Sequence, residues 1–113
     1  MPVTASNVQV IHEYAKGVMD RADHHAGKVK GVALAILGGI LWRADPGSIR
    51  IRQYAGNPAN MLWAKVGGRE YAFRYEHGTE QIEIRDGSQN GAVLHSFNDS
   101  TTLASVEAVF RSL

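Results

Sequence analysis

Ser48-Ile49-Arg50-Ile51-Arg52-Gln53-Tyr54 alternates apolar and polar side chains with a period of two, the pattern of a pleated strand that buries one face. Ile49 and Ile51 fall on one side, and Arg50, Arg52 and Tyr54 on the other. Working outward, similar segments run from Ile40 to Arg43, Met61 to Val66, Arg69 to Tyr75, Gln81 to Arg85 and Ala92 to Phe97. Between them stand turn sequences: Asp45-Pro46-Gly47, Gly67-Gly68, Glu76-His77-Gly78-Thr79 and Asp86-Gly87-Ser88-Gln89-Asn90-Gly91. Ala55 to Asn60 reads as a loop that has room to move. Links this short join neighbouring strands, so the region reads as an antiparallel β-meander of five or six strands. Ile49, Ile51, Phe73, Ile82 and Ile84 should then lie together on the covered face.

Upstream, Ser6 or Asn7 can cap a helix whose apolar positions Val8, Ile11, Ala15, Val18 and Ala22 share one face. The spacing continues through Val29, Val32 and Ile36, but one helix from Asn7 to Leu37 would be roughly 46 Å long and overhang strands of about 20 Å. His24-His25-Ala26-Gly27 is a poor helix stretch, so the reading places a break at Asp23 to Gly27 and a second helix ending at Gly38-Gly39. Near the other terminus, Asn98-Asp99-Ser100-Thr101 offers caps for a short helix with Leu103, Val106, Phe110 and Leu113 on one face. The expected fold is α+β: an antiparallel β-meander of five or six strands packed on one face by N-terminal helices and a short C-terminal helix, with residues 1–113 forming a single domain.

Composition narrows the function. Of 113 residues, 44% are hydrophobic and 20% charged, the balance of a globular domain rather than a disordered chain. Twelve Lys and Arg against eleven Asp and Glu leave a formal charge of +1, too little for a long-range field that gathers polyanions. With zero cysteines there is no disulfide, zinc-thiolate site or cysteine nucleophile, which fits a reducing cytoplasm. The first residues lack a secretory pattern, and Val32 to Trp42 is about half the ~20 residues a membrane-spanning helix needs.

Candidate site residues are dispersed. Asp20 and His24 share a helix face beside Asp23 and His25, but no third metal ligand is fixed, and no metal or cofactor site is read from the chain. His12-Glu13, His77 and His95 are not arranged as nucleophile, base and orienting acid, so no catalytic residue is assigned. Arg50, Arg52, Arg74 and Arg85 with Tyr54 fall on the outer sheet face, a mixture that can hold a single-stranded nucleic acid. Glu70, Gln81 and Glu83 share that face and can neutralise it through cross-strand pairs. Trp42, Trp63, Tyr54 and Met61 sit near strand ends or the Asn57 to Asn60 loop, where large apolar side chains serve as interface anchors or line a pocket.

Asn60-Met61-Leu62-Trp63, Tyr71-Ala72-Phe73-Arg74-Tyr75-Glu76-His77, Ile82-Glu83-Ile84-Arg85-Asp86-Gly87 and Leu94-His95-Ser96-Phe97-Asn98 resemble the strand half of small orphan α+β proteins encoded in mobile integron gene cassettes. The resemblance covers Trp42 to Leu113 and implies a compact cytoplasmic bacterial protein, often self-associating. It transfers no site residue. The first expectation is therefore a binding or interaction module forming a homodimer through its N-terminal helices or the aromatic rim near Trp42 and Trp63. The alternative is a small enzyme or small-ligand receptor, its pocket between helices and sheet lined by Tyr71, Phe73, Tyr75 and Trp63 with His77 or His95 as the polar group. Nucleic acid binding through the arginine face is the third.

Overall fold

The computed structural model describes residues 12, 15–20, 27–54, 57–76, 78–88 and 90–113, with backbone alone at 53, 54 and 57–60. Helix α1 is described at residues 15–20, and a 3-10 turn at Gly27–Val29 leads into α2 at Lys30–Arg43. Strands follow at Arg50–Tyr54 (β1), Asn57–Val66 (β2), Arg69–Glu76 (β3), Gln81–Asp86 (β4) and Val93–Phe97 (β5), and α3 spans Leu103–Ser112. Among the described residues the five strands form one antiparallel sheet in the order β1-β2-β3-β4-β5, a meander as the turn spacing predicts. Gly67 and Gly68 join β2 to β3 with φ of 61° and 82°, a turn with two positive dihedrals that matches strand twist and favours glycine.

Alternation sorts the sheet into two faces. Leu62, Ala64, Val66, Tyr71, Phe73, Ile84 and Phe97 pack against Val29, Val32, Ile36 and Ile40 beside α3's Val106 and Phe110, with Ile49, Ile51 and Ile82 at the margin of the same core. The five residues expected beneath the helices are there. Phe73 and Phe110 stack with ring centroids 6.2 Å apart and planes within 4°, an offset arrangement that avoids face-to-face repulsion.

Two sequence expectations at α2 are corrected. The helix does not stop at Gly38-Gly39, and Ile40 to Arg43 is its last turn rather than a strand. Val29, Val32, Ile36 and Ile40 are all buried, and this three-to-four spacing runs straight through both glycines. Tertiary packing outweighs a propensity cost of about 1 kcal/mol per glycine. The helix ends at Ala44, which is extended, with Pro46 two residues on. A third correction concerns the loop at Ala55 to Asn60: residues 57–60 belong to β2. The caps proposed at Ser6 or Asn7 and most of the break at Asp23 to Gly27 lie outside the described residues. Gly27 opens the 3-10 turn and Val29 has φ −130°, so residues 7–37 are not one helix.

The N-cap of α3 is Thr102, whose hydroxyl accepts from the Ser105 amide at 3.1 Å, and not the preceding Asn98 to Thr101. That segment serves α2 instead. Asp99 accepts the Val32 amide at 3.0 Å while its own amide donates to the Lys28 carbonyl at 2.8 Å. At the opposite end, Arg43 donates to the carbonyls of Arg111 at 3.2 Å and Leu113 at 3.0 Å. The two helices therefore run parallel, each satisfying orphan backbone groups of the other with the charge its dipole favours.

Gly38 and Gly39 differ in their surroundings. A β-carbon at Gly39 would come within 2.6 Å of the Phe110 ring, whereas one at Gly38 meets nothing within 4 Å. Thermal or urea melts in dilute solution should show Gly39→Ala destabilised by about 1–3 kcal/mol, and Gly38→Ala unchanged or up to ~1 kcal/mol more stable.

Candidate functional site

The outer face of α2 is apolar. Its sequence from Gly31 to Trp42 contains no charged residue, and Leu34, Leu41 and Trp42 keep 63%, 55% and 51% of their surface exposed. At about 100° per residue, Gly38 points almost opposite to the buried row Val32, Ile36 and Ile40, with Leu34 and Leu41 on one flank and Trp42 on the other. The guanidinium carbons of Arg43 and Arg111 lie over the Trp42 indole, 5.6 Å and 5.2 Å from its centroid, and hold its orientation through cation–π attraction. A helix with apolar residues on both sides normally has both sides covered.

The opposite sheet face is polar but not bare. Arg50, Trp63, Ala72 and Arg85 form one row across four strands, and Met61, Arg74 and Glu83 the next. The guanidinium carbons of Arg50 and Arg52 lie over the Trp63 ring, 5.7 Å and 5.2 Å from its centroid, and Ala72, flanked by Trp63 and Arg85, is fully buried. Arg85 binds Glu83 at 2.7 Å, approaches Glu76 at 4.0 Å and donates to the Gly91 carbonyl at 3.3 Å, while Arg74 binds Glu76 at 3.2 Å. Arg50 pairs with Glu70. All four arginines do share a face, as the alternation implies, and each is engaged within the protein.

A depression of about 490 Å³ opens where the α2–β1 turn meets the β2–β3 hairpin, lined by Asp45, Ser48, Arg50, Lys65 and Glu70 among others. Its polar groups are largely committed to the fold. Asp45 accepts the amides of Gly67 at 3.0 Å and Gly68 at 2.8 Å, and its own amide donates to the Lys65 carbonyl at 2.7 Å. Ser48 accepts the Lys65 amide at 3.1 Å, so the turn continues the β2 edge where β1 has not yet begun. Elsewhere, the Glu80 carboxylate reaches the Lys28 ammonium at 2.7 Å, and its hydrogen bond and charge hold that ammonium above the usual lysine range.

The anchors read from the sequence do not converge. Trp42 is on the helical layer and Trp63 on the other side of the sheet; Met61 is buried, and the side chain of Tyr54 lies outside the described residues. Tyr71 and Phe73 are core residues and Tyr75 is at its edge, so with Trp63 facing away these four do not line one space. His77 and His24 are outside the described residues, and His95 is half-buried on the edge strand β5 beside Phe97. Among the described residues no three His, Asp or Glu side chains group to hold a metal ion, and no helix is long and apolar enough to cross a membrane. Sequence reasoning misses Leu41 because Gly38-Gly39 reads as a helix end, and Leu34, inside the expected helix, because only the Val29, Val32 and Ile36 row is followed; the 100° spacing carried through the glycines places both on the outer face.

The family model for the integron cassette protein VCH_CASS1 chain matches residues 11–107, a span that includes all five strands among the described residues and the first half of α3. The chain belongs to this integron cassette protein family. No curated protein matches it. The outer face of α2 is thus a feature within the family-matched region, as is the polar network on the sheet.

The network gives a direct test of how the integron cassette protein carries buried charge. With its side chain 7% exposed, Glu83 neutralises an Arg85 that is 17% exposed, and breaking such a pair strands a buried cation. In urea unfolding, Glu83→Ala should cost about 3 kcal/mol, whereas Arg50→Ala, from a side chain 63% exposed, should cost less than ~1 kcal/mol.

Proposed function

We propose that this integron cassette protein is a self-associating interaction module, a homodimer of the bacterial cytoplasm whose contact surface is the outer face of α2. The observation that carries the reading is the exposure of Leu34, Leu41 and Trp42 on a helix whose other side already fills the core. Exposed tryptophan flanked by arginine is also the side-chain combination that dominates binding energy at protein interfaces. A chain of zero cysteines suits a reducing compartment.

Binding is favoured over catalysis because the polar clusters are internally satisfied. Arg74, Arg85, Glu76 and Glu83 balance one another, and Asp45 is occupied by two backbone amides. The same pairing removes the electropositive face on which a nucleic acid reading depends.

Size-exclusion chromatography with light scattering tests the proposal. The parent chain should show a concentration-dependent rise toward twice 12.3 kDa, and Leu34→Glu with Leu41→Glu should stay at 12.3 kDa with an unchanged far-UV spectrum. A parent that remains monomeric at several hundred micromolar overturns the reading.

A further inference from the structure

Resting on that reading, we infer that the partner at this surface is a second copy of the chain bound through a two-fold axis at Gly38, with the two α2 helices crossing antiparallel. The surface is self-complementary about this residue. Leu34 precedes Gly38 by four positions and Leu41 follows it by three on the same flank, so an antiparallel crossing lays Leu34 of each copy against Leu41 of the other, while Trp42 on the opposite flank meets Ala35 of the other copy. An isologous contact demands this reciprocity. At the axis itself Gly38 is exposed with open space above it, which lets two backbones approach closely.

Area and charge select the occupant. Leu34, Leu41 and Trp42 leave on the order of 350 Å² of apolar surface uncovered per copy, from typical leucine and aromatic side-chain areas. At the apolar share of roughly 65% found in homodimer interface cores, this corresponds to a total near 1,100 Å², just above the ~1,000 Å² that separates a specific contact from an incidental one. The dimer is accordingly a reversible one. Between Lys30 and Arg43 the helix carries no charge, so a second copy can cover it without stranding an ion.

The absence of cysteine from the chain makes the geometry testable with single substitutions. Helices packed 8–10 Å apart leave about 3.4–5.4 Å between facing α-carbons, overlapping the span a disulfide bridges. In a glutathione redox buffer, Gly38→Cys should form a covalent dimer on non-reducing gels about tenfold faster than Lys30→Cys, which lies eight residues from the axis. A parent that is dimeric by light scattering, with Gly38→Cys linking no faster than Lys30→Cys, overturns the crossing point while self-association stands. A parent that is monomeric at several hundred micromolar defeats both. Gly38→Arg supplies a second arm: nothing in the protomer lies within 4 Å of the new β-carbon, so its melting curve at low concentration should match the parent's while dimerisation is lost. Dimerisation retained in Gly38→Arg overturns the proposal.

Discussion

The wedge of Phe110 between Gly39 and Phe73 sets the geometry on which the rest of the molecule depends. Hydrophobicity alone cannot fix the rotation of α2 about its axis, because the helix is apolar nearly all round: a roll of one residue would exchange Ile40 for Leu41 at almost no change in buried surface. Steric contact decides the matter. The Phe110 ring occupies the volume that any side chain at position 39 would need, and it stacks on Phe73 from β3. The caps from Asp99 to Val32 and from Arg43 to the end of α3 then hold α2 at both ends, so the roll is determined at three points along its length.

The polar sheet face solves a different problem with charge. A sheet without a helical cover on one side must solvate or satisfy that side, and here the long side chains of Arg74, Arg85, Glu76 and Glu83 lie down on it and pair. Pairing at this density exchanges water for neighbouring ions, and the local charge sums to zero. An arginine count read from the sequence therefore overstates the field this face presents, since the register places Glu83 directly across from Arg74. Trp63 with its two arginines completes the surface by shielding Ala72.

The meander was legible because its strands obey a local rule: alternation at Ile49 and Ile51, at Phe73, and at Ile82 and Ile84 identifies the buried face without reference to any distant residue. The α2 region was misread because its signals conflict locally. Gly38-Gly39 marks a stop by propensity, and only Phe110, some seventy residues later, gives Gly39 its structural reason. The site followed the same division. That four arginines share a face is a matter of period two, but that Asp99 would cap α2 rather than α3, or that Trp42 and Trp63 would end on opposite sides of the sheet, depends on how layers stack. Such information is not carried by any single window of sequence.

Adjacent glycines at the same helix thus perform opposite tasks, and the second makes the first available. Because Gly39 admits Phe110 and locks the roll, Gly38 is forced about 100° away to the outer surface, and Leu34 and Leu41 are forced out with it. A helix free to rotate could bury these leucines by exposing others; this one cannot. Their exposure is a consequence of the core rather than a loose detail of the surface, and a stable monomer retains it at a cost of roughly 25 cal/mol for each Å² left in water. The most direct relief consistent with the fixed core is to cover the face from outside, and a copy of the same helix brings leucines at matching spacing, a glycine where backbones meet, and no charge to strand.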